Sequence, residues 1–246
     1  PKILYLLYTN DQTNQGYKMR TFKELIKSEN AKIGQGTLIF SMSSEKNCAA
    51  GKAGECDLWG KGVKGCYAAK AEIQYKNNVP QFRDECEARW KITDSFTAAE
   101  AFLAKIKSAR TPIKAIRFNE SGDFHSEECI DKVIQIATMI GELFPKIRIY
   151  TYTHRKSLFS HLAKSVLPKN LTINISDRKI DGFNSFVVDK EIRVKKGKGF
   201  KGALGYIAVQ KQLKEKHKTN LICLGDCSKC TLCKITHGKT IICPAH

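Results

Sequence analysis

The segment IKAIRFNESGDFHSEECIDKVIQIATMIGELFPKIRIYTYTHR, residues 113–155, has two strand-like runs on either side of an amphipathic helix. The runs IKAIRFN (113–119) and KIRIYTYT (146–153) are short and rich in β-branched and aromatic residues, as buried strands are. Between them, apolar residues recur at helical spacing over 126–144. A strand, a crossover helix and a second strand predict a parallel β-α-β unit.

The same alternation extends to both sides of this unit. Further strands are predicted for TLIFSM (37–42) and LTINISD (171–177). Thr97 and Glu100 have the spacing of a capping box, and Ser126 is the expected N-cap of its helix. Helices are predicted over residues 67–77, 81–92, 97–109, 126–144, 155–167 and 203–216.

This order of elements predicts an α/β protein with a partial (β/α) barrel-like parallel sheet. Residues 1–220 are expected to form the barrel-like domain, which includes a cysteine loop at residues 47–66. Residues 221–246 are expected to form a C-terminal cysteine-rich metal-binding segment.

The 246 residues carry a formal net charge of +18, which favours polyanions and nucleic acid above all as partners. The densest basic stretch is KEIRVKKGKGFKG, residues 190–202. Its glycines let the backbone approach a polyanion closely, and phosphate contacts are predicted for Lys195, Lys196, Lys198 and Lys201. A solvated loop is the alternative interpretation of this run.

The chain has ten cysteines but no recognisable signal peptide and no apolar stretch long enough for a membrane span. A cytoplasmic protein without membrane contact is therefore expected. Because cytosolic thiols stay reduced, clustered cysteines in such a protein indicate metal binding rather than a disulfide scaffold.

Four of the cysteines lie within CLGDCSKCTLC, residues 223–233, at intervals of three, two and two residues. Zinc ribbons separate two such pairs by about a dozen residues, whereas close spacing is typical of [4Fe–4S] ligation. An iron–sulfur cluster is therefore predicted here, with zinc as the alternative metal and Cys243 and His246 as reserve ligands. The four predicted ligands are Cys223, Cys227, Cys230 and Cys233.

A second set of thiols, Cys48, Cys56 and Cys66, follows the first long strand. Three thiolate ligands would leave one iron of a second cluster open, and S-adenosylmethionine is the expected occupant. Cys86 and Cys129 fall on helical patterns and are predicted to be core residues.

Three predicted strands end in polar residues. Because ligands bind at the carboxyl ends of parallel strands, these side chains are expected to form one site. The catalytic candidates are Glu120, Asp123, Tyr152, His154 and Arg155. The cofactor-binding candidates are Asn119, Ser121, Gly122, Ser176 and Asp177. The alternatives are a helix cap for Asp123, surface positions for His154 and Arg155, and a turn position for Asp177.

The order of these motifs resembles the phage gene product 88 family, which occurs in phages and other mobile elements. The resemblance runs from Ser41 to the C-terminus and implies a mobile-element protein, without assigning a reaction. The similar segments are the Cys48, Cys56 and Cys66-Tyr67-Ala68 positions, IRFNESGDF (116–124), IYTYTHR (149–155), NLTINISD (170–177) and the cysteine-rich tail.

There is also a looser likeness to radical-SAM enzymes, which have a cysteine loop, a Gly/acidic motif and a polar strand end after successive strands. It implies an iron–sulfur enzyme that acts on nucleic acid or a nucleotide. The alternative is a non-catalytic, metal-stabilised nucleic-acid-binding protein. A third hypothesis is a redox or partner-binding module for host or mobile-element proteins.

Overall fold

The computed structural model describes residues 19–28, 33–62, 65–159, 162, 167–195, 203–219, 221–227, 230–235 and 238–245. Within them, seven strands form one sheet whose spatial order follows the chain order from β1 to β7. β1 is antiparallel to β2, and every other neighbouring pair is parallel. The strands are β1 (Lys27–Ser28), β2 (Thr37–Phe40), β3 (Ala115–Phe118), β4 (Arg148–Thr153), β5 (Leu171–Ser176), β6 (Asn184–Arg193) and β7 (Thr240–Ala245).

Helices connect most of the parallel strands. The crossovers from β2 to β3 and from β3 to β4 are long enough to contain helices, as parallel pairing requires. The α-helices of the described residues are α1 (Phe22–Leu25), α2 (Ala49–Lys52), α3 (Tyr67–Gln74), α4 (Val79–Ile92), α5 (Ser95–Ser108), α6 (Glu127–Leu143), α7 (Lys156–Phe159) and α8 (Ala203–His217). A short 3₁₀-helix covers Leu232–Lys234.

One face of the sheet is apolar and packs against α4, α5 and α6. Its strand residues belong to a continuous core in which aromatic rings of neighbouring elements meet, such as Phe102 and Phe118 with ring centroids 5.3 Å apart. Burial of this surface is the main stabilisation that the fold can gain. Strand residues in this core include Leu38, Phe40, Ile116, Phe118, Ile149 and Ile173.

The opposite face, named the inner face here, is polar and aromatic. Side chains alternate between the two faces of a strand, so the residues next to the core positions share this face. Neighbouring strands place them in register: Arg117 beside Tyr150, and Tyr152 beside Asn174. The register continues from Asn174 to Asn184 on β6.

The α/β class and the parallel sheet are confirmed, as are the four predicted strands that contain β2 to β5. Cys86 and Cys129 are core residues as predicted, at 0% and 8% exposure. Two of the parallel strands were not predicted: the ten-residue strand β6 and the C-terminal strand β7. β7 pairs with β6, so the C-terminal segment contributes a strand to the same sheet.

The predicted capping box of the 97–109 helix is wrong. α5 begins at Ser95, and Asp94 is its N-cap, with its carboxylate accepting from the Thr97 amide at 2.8 Å. Ser126 does occupy the N-cap position of α6, but its side chain makes no capping hydrogen bond.

Within the ranges described above, none of the helices combines the length and the apolar character needed to cross a membrane.

Candidate functional site

The carboxyl ends of β2 and β3 are joined by hydrogen bonds. Met42 N donates to the Ser121 carbonyl at 2.9 Å, and Ser121 Oγ donates to the Ser43 carbonyl at 2.8 Å. Gly122 has a φ of +76°, and a Cβ at this position would lie 2.3 Å from Ser43 N. Glycine is therefore required where the two strand ends meet. The predicted cofactor-binding residues Ser121 and Gly122 hold this junction together.

Asp123 connects the same turn to β4. The carboxylate is 2% exposed and accepts from Thr153 Oγ1 at 2.6 Å and from the amides of His154 and Phe124, both at 2.8 Å. Burial raises the pKa of Asp123, although these hydrogen bonds oppose the shift. The carboxylate thus binds the neighbouring strand, and the helix-cap alternative for Asp123 is not observed.

His154 reaches the end of β5. Its Nε2 is sealed from solvent and lies 3.5 Å from Asp177 Oδ2, an ion-pair distance without hydrogen-bond geometry. Burial opposes the charged form, but Asp177 and Cys56 raise the pKa of His154 to about 10. The neighbouring imidazole of His154 in turn lowers the pKa of Asp177. The two residues form an ion pair at the carboxyl edge of the sheet, beside the cysteine loop.

Glu120 belongs to an ion-pair network that the sequence did not reveal. Its carboxylate accepts from Arg83 Nη2 at 3.0 Å, and its carbonyl accepts from the Tyr67 hydroxyl. Arg83, which lies in α4, also donates to Glu72 at 2.7 Å, and Glu72 accepts from the amide of Glu45. The network connects two helices to the turn after β3.

Arg155 fastens the cysteine loop to the sheet. Its Nε donates to Glu55 Oε1 at 2.8 Å, and its Nη1 donates to the Phe124 carbonyl at 3.0 Å. Ser157 adds two further bonds to Glu55, from its amide at 3.0 Å and its hydroxyl at 2.6 Å. Burial opposes ionisation, but Ser157 and Arg155 hold the pKa of Glu55 below its usual range. Glu55 immediately precedes Cys56, so this contact positions that thiol.

The thiols of the cysteine loop lie close enough for Cys56 to influence the pKa values of the other two. Cys48 and Cys66 are the N-caps of α2 and α3, and Cys56 acts electrostatically on both. Burial and Asp123 raise the pKa of Cys48 to about 12, and burial raises the pKa of Cys66. All three predicted ligands are partly exposed at the edge where Asp123 and His154 lie.

The four C-terminal thiols also gather, around Cys233. Burial raises the pKa of Cys233 to about 12, and Cys223, Cys230 and Cys227 act in the same direction, while the neighbouring Tyr152 hydroxyl opposes the shift. All four are partly exposed, whereas Cys243 is buried in β7.

Two asparagines hold the C-terminal segment over the inner face. Asn174 Nδ2 donates to the Cys233 carbonyl at 3.0 Å, and Asn184 Nδ2 donates to the Ile235 carbonyl at 2.9 Å. The 3₁₀-helix that contains Cys233 therefore lies over the inner face, against β4 and β5.

The remaining candidates occupy the same edge or fall outside it. Asn119 is buried with φ +55°, and its Oδ1 is sealed from solvent without a donor. Ser176 ends β5 in register with Phe186. Lys195 is exposed just after β6, whereas Lys196, Lys198, Lys201 and His246 lie outside the described residues.

Thiolate sulfurs are the ligands that iron–sulfur clusters take, so both cysteine sets fit such a group by donor chemistry. In the described part of the chain, no three Cys, His, Asp or Glu side chains converge closely enough to enclose a single metal ion. The thiols are gathered, but a bound metal remains a prediction.

Fold and edge together define a class: a parallel α/β protein whose carboxyl edge brings thiols, carboxylates and a histidine together. The chain belongs to the gene product 88 family, whose family model matches residues 13–234. The family resemblance drawn from the motifs is therefore confirmed. No curated protein and no solved structure matches the chain. The likeness to radical-SAM enzymes gains no support from these matches and stays a prediction.

Proposed function

We propose that the protein is an iron–sulfur enzyme of the gene product 88 family whose reaction takes place at the carboxyl edge of the sheet. The observation that carries the proposal is that one cysteine set lies at this edge and Cys233 of the other lies over the adjoining inner face. Cys56 helps to raise the pKa of His154, and Cys233 adds to the effect of burial in raising the pKa of Tyr152, so each set has a thiol close to one of these residues. Tyr152 lies near the carboxyl end of β4, and His154 directly follows that strand.

Cys48, Cys56 and Cys66 would hold a cluster with one iron open, and Cys223, Cys227, Cys230 and Cys233 would hold a second. When bound, such a cluster supplies electrons and an open iron for a ligand, here S-adenosylmethionine. The strands of the sheet follow one another in space from β1 to β7, as in a partial barrel, and such a barrel would present the inner face to this ligand.

The residues of this chain have separate tasks in the proposal. Asp123 and Gly122 fix the turn after β3 against β2 and β4. The exposed part of the His154–Asp177 pair can hold or release a proton, because a histidine is the usual general acid or base. Asn119 Oδ1, which lacks a donor, can accept a hydrogen bond from an amino or hydroxyl group of the ligand.

The experiment is a titration of the anaerobically reconstituted, reduced protein with S-adenosylmethionine, followed by EPR. A changed cluster signal supports the proposal, and the Cys56→Ser variant should lose the response. The matched control is Cys86→Ala, since Cys86 is a core thiol at 0% exposure. A reduced cluster that S-adenosylmethionine leaves unchanged would contradict the enzymatic part of the proposal.

A non-catalytic nucleic-acid-binding protein is the second candidate, because 42 Lys and Arg face only 24 Asp and Glu. Phosphate contacts release counterions, so the logarithm of affinity should fall linearly with the logarithm of salt concentration. Replacing Lys195, Lys196, Lys198 and Lys201 with Ser should flatten this slope by about three units.

The matched control removes the same charge from four lysines outside this basic stretch. If the control flattens the slope equally, the basic stretch has no special role in binding. The control lysines are exposed: Lys23, Lys76, Lys107 and Lys211.

A further inference from the structure

The inner face of the sheet carries a positive charge that has no counter-charge beside it. Arg117, in β3, is half-buried, with its guanidinium carbon 5.1 Å from the centre of the Tyr152 ring and its Nη2 3.3 Å from the Tyr67 hydroxyl. Its Nε is sealed from solvent and has no acceptor. Among the described residues, no carboxylate lies within 4.0 Å of this guanidinium. Glu120 interacts electrostatically with the Arg117 guanidinium, but the Glu120 carboxylate already forms an ion pair with Arg83.

A second donor without a partner stands beside Arg117. Tyr150 is the neighbour of Arg117 in register on β4, so both side chains share the inner face. Tyr150 is 1% exposed, and its hydroxyl is buried without a hydrogen-bond partner. Lys234 of the C-terminal segment adds positive charge, with its Nζ 5.8 Å from the centre of the Tyr150 ring, although this ammonium already donates to the Cys227 carbonyl at 2.9 Å.

These groups share one chemical property, because each of them can donate a hydrogen bond and two of them are cations. A sealed donor without an acceptor and a partly desolvated cation without an anion both cost stability. A ligand that accepts hydrogen bonds and carries negative charge would remove both costs. The flat fork of a guanidinium matches the oxygens of a carboxylate or a phosphate.

We propose that the inner face binds an oxyanion, the carboxylate or phosphate group of a small ligand, on Arg117 with Tyr150 as the second donor. None of these residues is a candidate metal ligand, so the proposal does not depend on an iron–sulfur cluster. The site lies beneath the C-terminal cysteine segment, which Asn174 and Asn184 hold over the same face.

The test is a calorimetric titration of the full chain with inorganic phosphate and, separately, with acetate at constant ionic strength. Binding of either anion supports the proposal, and the tighter of the two identifies the source as phosphate or carboxylate. Arg117→Met should weaken binding at least tenfold, because a charge-assisted bidentate contact is lost. Tyr150→Phe should weaken it about tenfold, because a hydrogen bond from a neutral hydroxyl to a charged acceptor is lost.

The matched control is Arg110→Gln, which removes a positive charge from an exposed position and should leave affinity unchanged. Phosphate also stabilises proteins non-specifically, so only the difference between wild type and Arg117→Met counts in a thermal melt. In anion-free buffer, Tyr150→Phe should melt no lower than wild type, since it removes a hydroxyl that has no partner.

Two results would overturn the proposal. One is the absence of binding by the wild type up to about 50 mM of either anion, well above the millimolar affinity expected of a small contact. The other is equal affinity of the wild type and the Arg117 variant. If Arg117→Met does not fold, Tyr150→Phe decides, and an unchanged affinity in that variant counts against the site.

Discussion

At the scale of single residues, Asp123 combines structural and chemical importance. Its carboxylate is the acceptor for one hydroxyl and two amides, and all three donors would be left buried if it were removed. Asp123→Ala should therefore lower the free energy of unfolding by about 3 kcal/mol, well above the effect of a lost helix cap.

Urea denaturation of the variant beside wild type measures this difference. The control is Asp131→Ala, which removes an exposed carboxylate from α6 and should change stability by less than about 0.5 kcal/mol. A loss of about 1 kcal/mol for Asp123→Ala would show that the hydrogen bonds are not all made in solution.

Asp189 in β6 makes the stability of the C-terminal half depend on pH. Its carboxylate accepts from Lys216 at 2.8 Å, contacts His217 Nε2 at 2.7 Å, and accepts from two backbone amides. Burial opposes ionisation, but Lys216 and His217 hold the pKa of Asp189 well below its usual range. The ionised form therefore stabilises the folded state above the unfolded pKa of about 3.9.

This stability should be lost as the pH falls from about 4 toward the lower pKa of the folded state, because the unfolded chain then binds the proton first. Asp189→Asn should be about 2 kcal/mol less stable than wild type at neutral pH, and the gap should narrow near pH 3. Denaturation curves at both pH values provide the measurement. Glu191→Gln, which alters an 83% exposed carboxylate, is the control and should show no narrowing gap.

At the scale of elements, α5 shows how a local signal can mislead. Thr97 and Glu100 have the correct spacing for a capping box, yet the helix starts two residues earlier because the Asp94 carboxylate accepts from the Thr97 amide and hydroxyl. Asp94→Ala should cost about 1 kcal/mol of stability, whereas Glu100→Ala should cost almost nothing. Thermal melts of the two variants measure both effects. A larger loss of stability for Glu100→Ala than for Asp94→Ala would show that the capping box forms after all.

Glu55 connects the cysteine loop to a distant element, the segment after β4. Glu55→Ala would leave Arg155 and the Ser157 amide without their shared acceptor. Hydrogen exchange of amides 49–56 should then accelerate by about tenfold or more, because local opening becomes easier by one charge-assisted bond. Asp57→Ala, in an exposed position of the same loop, is the control. Unchanged exchange in Glu55→Ala would mean that the loop is held by other contacts.

The sequence predicts β2 to β5 well because each is a short β-branched run between helical patterns. It misses β6 because the register shifts between Asp189 and Arg193, which breaks the regular alternation. It misses β7 because TIICPA contains Pro244, which is tolerated at the edge of a sheet but is unusual within a strand. Both strands depend on long-range pairing rather than on local pattern.

At the scale of the whole molecule, parallel winding explains which parts of the site are predictable. Strand ends must share one edge, so the meeting of Asp123 with His154 follows from the order of the motifs. The partners Arg83 and Glu55 could not be found in this way, because they come from a helix and a loop whose placement depends on the tertiary fold. Arg117 was not predicted as a site residue for a related reason: the surroundings of a single charged residue in a buried strand depend on the neighbouring strands of the assembled sheet.

The central claim is that the gathered thiols hold iron and sulfide. The most direct test is elemental and acid-labile sulfide analysis of anaerobically purified protein, beside Cys227→Ser, Cys230→Ser and the core-thiol control Cys86→Ala. We expect about four iron and four sulfide atoms for each cluster, a loss of one cluster in both Cys→Ser variants and full retention in the control. Stoichiometric zinc without sulfide, or iron content that the Cys227 and Cys230 variants leave unchanged, would contradict it.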